Sequence, residues 1–188
     1  TVTDITPSSG FTSGSLSGAL NTGFGGGFYG LNNYGRTPAN SGVYAEATTW
    51  ALDTWGEYLL AVSSTDGKLL EWQGNVNANA ATVANAPTGN NSMVVTEERF
   101  VFCLGAGGNP RKVAWSDKEN NTLWSAAATN EAGDMELQTN GQIMCGVRMR
   151  GATLILTSED AHLATYSGAP FVYGFQRVGT ACGIASRK

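Results

Sequence analysis

The chain has 188 residues, 41% of them hydrophobic and only 14% charged, with 25 glycines and a formal net charge of −4. That length holds one all-β domain with a sizeable core, and low charge with abundant Gly, Asn, Ser and Thr suits short strands and tight turns. Scattered Lys and Arg form no basic stripe for phosphates, no apolar run nears the roughly 20 residues that cross a bilayer, and no secretion signal is visible.

Thr1-Val-Thr-Asp-Ile-Thr-Pro7 reads as the last strand of a hairpin whose first strand is missing. Residues 8 to 42 are rich in Gly and Ser, with Phe24, Phe28, Tyr29 and Tyr34 spaced among the glycines. A purely flexible linker needs no such aromatics, so a long loop packed on a neighbour is expected. Residues 49 to 55 lead into a strand at Tyr58–Ser63, Asp66-Gly67 predicts a type I′ turn, and Lys68–Trp72 returns. Residues 75 to 91 form a polar connection with one candidate strand around Thr82-Val83-Ala84. A second hairpin spans Met93–Trp115, turning at Gly105–Pro110. Residues 116 to 133 connect to Met135-Glu-Leu-Gln, and Asn140-Gly141 turns into a third hairpin, Ile143–Tyr166. Gly168-Ala-Pro170 then leads to Phe171–Val178, and Cys182–Lys188 begins a strand and stops. With no initiating Met, residues 1 to 188 are read as a fragment of one domain. No apolar period of 3.6 is sustained, so almost no helix is expected.

Tyr58–Trp72, Phe100–Trp115 and Thr153–Tyr166 repeat one phrase: an apolar run, a polar turn, an alternating run and a terminal aromatic. The terminal aromatics lie 43 and then 51 residues apart, a period that with strands alone points to propeller blades. Leu59–Val62 and Leu154–Leu156 are apolar at consecutive positions, so both faces of those strands are expected to be buried. A blade between two blades meets that demand. The fold class is therefore all-β, a partial β-propeller with about three blades and a long Gly-rich loop. Three blades do not close a ring, which implies further chain or other subunits.

Few residues suggest chemistry. Cys103, Cys145 and Cys182 form no Cys-x-x-Cys pair and His162 is the sole histidine, so a structural zinc site is not expected. Cys145 and Cys182 sit in similar phrases, Met-Cys-Gly-Val and Ala-Cys-Gly-Ile, which reads as two buried reduced thiols at equivalent repeat positions, with pairing left open. Gly105-Ala-Gly-Gly108 precedes no helix and reads as a wide turn, not a phosphate cradle. Ser64-Thr-Asp66-Gly67 with Trp72 resembles the Asp-box turn of sialidase-like propellers, but that box separates Asp from Gly and here they adjoin. Glu97-Glu98, Asp134 with Glu136, and Glu159-Asp160 read as solvated turn acids and not as a facing catalytic pair. His162 reads as a surface or inter-blade histidine. Trp50, Trp55, Trp124, Tyr34 and Tyr44 could stack on sugars, but inter-blade or interface packing accounts for them. No catalytic, cofactor-binding or metal-ligating residue is assigned.

The order of phrases resembles a group of tailed-bacteriophage structural proteins with a β-propeller body. The resemblance is carried by Val2-Thr-Asp-Ile-Thr-Pro7, the Gly-aromatic run through Tyr34-Gly35, and Thr49-Trp-Ala-Leu-Asp-Thr-Trp-Gly-Glu-Tyr-Leu-Leu-Ala-Val62. It continues through Val113-Ala-Trp-Ser-Asp117 with Trp124, Leu154-Ile-Leu-Thr157 to Tyr166, Pro170-Phe-Val-Tyr-Gly-Phe175 and Val178-Gly-Thr-Ala-Cys-Gly183. It implies a non-enzymatic tail tube, hub, nozzle or head-to-tail joint protein, made in the host cytoplasm and residing in the virion. The implied partners are copies of itself in a ring, other tail or portal-adaptor proteins, and DNA passing without sequence-specific contact; no cofactor and no membrane are implied. The rival readings are a carbohydrate-binding propeller, a glycan-degrading tail protein, or a peptide-binding scaffold.

Overall fold

The computed structural model describes residues 48–186. The expected strand at residues 1 to 7, the packed loop at 8 to 42, and Tyr34 and Tyr44 lie outside them. The described residues form twelve strands and a short 3-10 turn at Ala106–Gly108. The first sheet contains β1 (Trp50–Trp55), β2 (Tyr58–Ser63), β3 (Leu69–Trp72) and β4 (Ala81–Thr82). The second contains β5 (Ser92–Val95), β6 (Val101–Leu104), β7 (Lys112–Trp115) and β8 (Gly133–Glu136). The third contains β9 (Ile143–Met149), β10 (Ala152–Thr157), β11 (Asp160–Gly168) and β12 (Val172–Thr180). Each is antiparallel, open, and ordered as in the chain.

The repeated phrase is thus the second strand, turn and third strand of each sheet. Residues 50–55, expected only to lead in, make a full first strand paired with β2 from Trp50↔Ser63 to Trp55↔Tyr58. The turn at Asp66-Gly67 is not type I′, which requires positive φ at both central residues. Only Gly67 has it (φ +59), and its N–H donates to the Ser63 carbonyl at 2.8 Å across a wider loop. Glycine is needed there for a second reason: a Cβ would fall 2.5 Å from the Gly89 Cα.

Side-chain alternation along each strand separates two cores. Between the first and second sheets, Trp55, Leu60, Val62 and Leu69 meet Met93, Val95, Val101, Cys103 and Ala114. Between the second and third, Val94, Phe100, Phe102, Leu104, Val113 and Trp115 meet Ile155, Ala164, Val172 and Tyr173. The first three strands of the second sheet are therefore buried on both faces. The first and third sheets are not. Leu60, Val62 and Ile155 are fully buried, whereas Leu59, Ala61, Leu154 and Leu156 are only half-buried. The expectation of two buried faces at Leu59–Val62 and Leu154–Leu156 fails because, among the described residues, each outer sheet packs on one sheet only.

Aromatic packing dominates the second core. The Phe102 and Tyr173 rings meet edge-on at 4.7 Å and 80°, and Phe100 meets Tyr173 at 5.2 Å and 81°. Such pairs add about 0.5–1.5 kcal/mol beyond their buried area. Two of the three terminal aromatics, Trp115 and Tyr166, cover this joint. Trp72 instead holds the following connection, donating its indole N–H to the Asn75 and Ala78 carbonyls at 3.0 and 3.1 Å.

The first strands converge: β5 lies beside β1 on one side and β9 on the other. Gly146 permits the second approach, since a Cβ there would come within 2.7 Å of Val94 Cγ1 and 2.9 Å of Leu104 Cδ1. Phe102→Ala should lower the unfolding free energy by about 3–5 kcal/mol and Gly146→Ala by about 1–3 kcal/mol, read by urea unfolding. Phe171→Ser, at a side chain 82% exposed, should stay within about 0.5 kcal/mol of the parent.

Candidate functional site

β1, β5 and β9 are each the edge of their sheet, and an edge strand leaves backbone groups without a ladder partner. Asp53 on β1 satisfies one of them. The Val95 N–H of β5 donates to Asp53 Oδ2 at 2.9 Å, while the Thr54 N–H donates to Oδ1 at 2.8 Å. A side chain of one sheet so replaces a strand partner for the next. The three edges border a groove of about 550 Å³, lined by Trp50, Leu52, Ser92, Met93, Cys145 and Val147 among others. Among the described residues, Asp53 and Arg148 are the charged ones that line it. A groove of this character offers apolar contact and few groups that grip an ion or a phosphate.

A second, smaller cavity of about 220 Å³ lies between β8 and the third sheet, lined by Met135, Glu136, Leu137, Gln138, His162, Phe175 and Arg177. His162 is buried between sheets, so the inter-blade half of its expectation is the one met and the surface half is not. The period of two along β11 puts Asp160 on the same face, with His162 Nε2 3.1 Å from Asp160 Oδ1. Asp160 corrects another expectation: of the Glu159-Asp160 pair, only Glu159 is exposed, and Asp160 is 5% exposed. The Thr139 hydroxyl donates to its Oδ1 at 2.9 Å, the Thr157 hydroxyl lies 2.6 Å from the same oxygen, and Arg177 stands 3.9 Å from Oδ2. Burial pushes the Asp160 pKa up, but the Thr157 and Thr139 hydroxyls and the His162 ring outweigh it, leaving the carboxyl below its ordinary value.

The His162–Asp160 pair acts as a tie between loops, and its surroundings differ from those of a Ser-His-Asp triad. A triad needs a hydroxyl on the far side of the imidazole. Here both hydroxyls belong to the carboxylate. Thr157 Oγ1 also accepts the N–H groups of Asp160 and Glu159 at 2.9 and 3.1 Å, and Thr139 Oγ1 accepts that of Gly141 at 3.0 Å. The network pins the β8–β9 loop to the β10–β11 turn.

Several other acids are also engaged. Glu97 accepts the Gly151 N–H at 2.6 Å, and Glu98, expected to be solvated, is half-buried and accepts the Tyr173 hydroxyl at 3.2 Å. Asp134 and Glu136 are exposed and pair with Lys112 and Arg111. Tyr166 donates to both oxygens of Glu131 at 3.0 and 3.2 Å. Burial, followed by these hydrogen-bonded carboxylates, raises the pKa of Tyr166; burial chiefly raises that of Tyr173. Both stay protonated donors. Glu131 carries no signal in the sequence, being a lone acid in an Ala- and Asn-rich connection.

The cysteines do not occupy equivalent places. Cys145 is half-buried on β9, Cys182 is exposed beyond β12, and Cys103 is buried in the first core; all three are free thiols. The reading of Cys145 and Cys182 as two buried thiols fails because one belongs to a first strand and the other follows a last strand. Burial pushes the Cys103 and Cys145 thiols up. Among the candidate aromatics, Trp55 is buried under the Arg99 guanidinium at 5.0 Å, Trp124 packs on the first core, and Trp50 lines the groove. They share no single platform. Among the described residues no group of three His, Cys, Asp or Glu could hold a metal ion, and no helix is long and apolar enough to cross a membrane.

Asp160 gives the site a pH signature. Because its folded-state pKa is depressed, its stabilisation is complete above the unfolded value near 3.9 and is lost as pH falls through the folded value. Asp160→Ala should cost about 1.5–3 kcal/mol at pH 7, and the parent-to-variant gap should shrink between pH 4 and pH 2, measured by denaturant unfolding across that range.

No protein-family model, no curated protein and no solved structure matches the chain.

Proposed function

We propose that the three sheets are consecutive blades of a β-propeller and that the chain is a structural, non-catalytic subunit of a phage tail. The observation that carries the propeller reading is the succession of four-stranded meanders whose first strands, β1, β5 and β9, lie side by side over two apolar joints. Radial repetition is the arrangement that covers sheets apolar on both faces and brings each first strand toward one axis. The tail reading draws on the resemblance in phrase order and on the engagement of the polar groups. The acids at 97, 98, 131 and 160 are tied to backbone or side-chain donors, and the His162–Asp160 pair holds two loops.

In this reading the protein is a tube, hub, nozzle or head-to-tail joint component in the virion, made in the host cytoplasm. Its partners are copies of itself in a ring around the DNA channel and neighbouring tail or portal-adaptor proteins. A net charge of −4 without a basic stripe suits a conduit through which DNA passes without being held. Mass spectrometry of purified phage particles should recover peptides of this chain. Their absence from particles overturns the tail assignment, and hydrolysis of host surface polysaccharide by the purified protein replaces it with a glycan-degrading role.

A further inference from the structure

Asn140-Gly141 is the sole Asn-Gly dipeptide in the sequence, and packing decides why a glycine stands there. Gly141 is buried where the β8–β9 loop passes the β10–β11 turn, and Asn140 beside it is exposed. A Cβ at 141 would stand 2.8 Å from Ser158 Oγ and 3.0 Å from both Thr157 Oγ1 and the Glu159 nitrogen, so the close passage favours glycine. The missing Cβ also has a chemical consequence. Asparagine is a thermolabile residue, most so when the next nitrogen carries no side chain to shield it from the amide carbon. That nitrogen is held here. Its N–H donates to Thr139 Oγ1 at 3.0 Å, and the buried Thr139 hydroxyl donates in turn to Asp160 Oδ1 at 2.9 Å. The loop is fixed on either side, since the Leu137 N–H donates to the Arg111 carbonyl and the Ser158 N–H to the Gln142 carbonyl, both at 2.9 Å.

We infer that Asn140 is a self-modification site locked by Thr139: it deamidates only when the Gly141 N–H leaves the Thr139 hydroxyl. Water and hydroxide are the sole co-reactants. Hydroxide takes the Gly141 amide proton, and the nitrogen attacks Asn140 Cγ. As the N–Cγ bond forms, the Cγ–Nδ2 bond breaks and ammonia leaves with a proton from water. Water then opens the cyclic imide at either carbonyl, leaving aspartate or isoaspartate at 140, and nothing is oxidised or reduced. The lock acts on the first step. A donated N–H gives up its proton less readily, and a fixed peptide plane cannot turn its nitrogen toward Cγ. Isoaspartate adds one carbon to the main chain, which draws Gly141 off Thr139 and loosens the tie that Asp160 anchors. The modification is therefore an irreversible change at the junction of the second and third sheets. None of this depends on the propeller or the tail reading.

The full 188-residue chain, held in mildly alkaline buffer at physiological temperature and sampled by peptide mapping with isoaspartate detection, tests the lock. Asn140 should convert at least about tenfold more slowly than in a free peptide of residues 136 to 145. The Gly141 amide should be protected from deuterium exchange in the same protein. Thr139→Val, which removes the acceptor, should raise the conversion rate about fivefold, the effect of one net hydrogen bond. Thr139→Ser, which keeps the hydroxyl, should stay at the parent rate. So should Gly146→Ala, which strains the approach of β9 to β5 and leaves the loop contacts in place. The parent-to-peptide ratio and the Gly141 exchange need no variant, so they hold as tests even if Thr139→Val fails to fold. A parent rate equal to the peptide's overturns the inference, as does an unprotected Gly141 amide or a folded Thr139→Val that converts no faster than the parent. Equal acceleration by Thr139→Val and Gly146→Ala counts the same way, because release would then go through global unfolding.

Discussion

A sheet that is apolar on both faces has to be covered twice, and the second sheet imposes that demand on the whole structure. Met93, Val95, Val101 and Cys103 on one side and Val94, Phe102, Leu104 and Val113 on the other leave its first three strands no solvent face. At about 25 cal/mol per Å² of apolar area, exposing either side would cost more than a small domain's net stability. The first and third sheets are held in place as its covers. From that sandwich follow the convergence of β1, β5 and β9, the glycine at 146 and the groove along the first strands.

Polar side chains settle what apolar packing leaves open. Burying edge strands would strand backbone N–H groups, and Asp53 answers at Val95. Burying a carboxylate between the second and third sheets would be costly alone, and Thr139, Thr157 and His162 surround Asp160. Tyr173, inside the aromatic cluster, reaches Thr96 at 3.0 Å and Glu98 with its hydroxyl. In each case the group fixes a loop or an edge relative to a neighbouring sheet.

The same economy explains why the open ends of the stack stand out. Inner faces carry polar groups where they have a partner, such as Asp53 toward β5. The outward rows of the first and third sheets carry Thr54, Thr82 and Gln176 but no charged side chain, and among the described residues they meet solvent at Leu52, Val147 and Met149.

The all-β class, the three repeated phrases and the near absence of helix were legible in the sequence, because strand alternation, turn residues and the absence of a 3.6 period are local properties. Trp115 closes β7 and Tyr166 lies near the end of β11, and both cover the second joint. Other features depended on which elements became neighbours. That residues 50–55 pair as a full strand, that Asp66-Gly67 widens beyond a type I′ turn against Gly89, and that Asp160 is buried while Glu159 is not all follow from contacts distant in sequence. Leu59 and Leu154 look alike in sequence to residues of a doubly buried strand, yet only position in the stack decides whether a second sheet covers them. Composition and periodicity therefore determined what kind of sheet forms; which faces meet, and so where the polar ties and the open surfaces lie, was decided by packing alone.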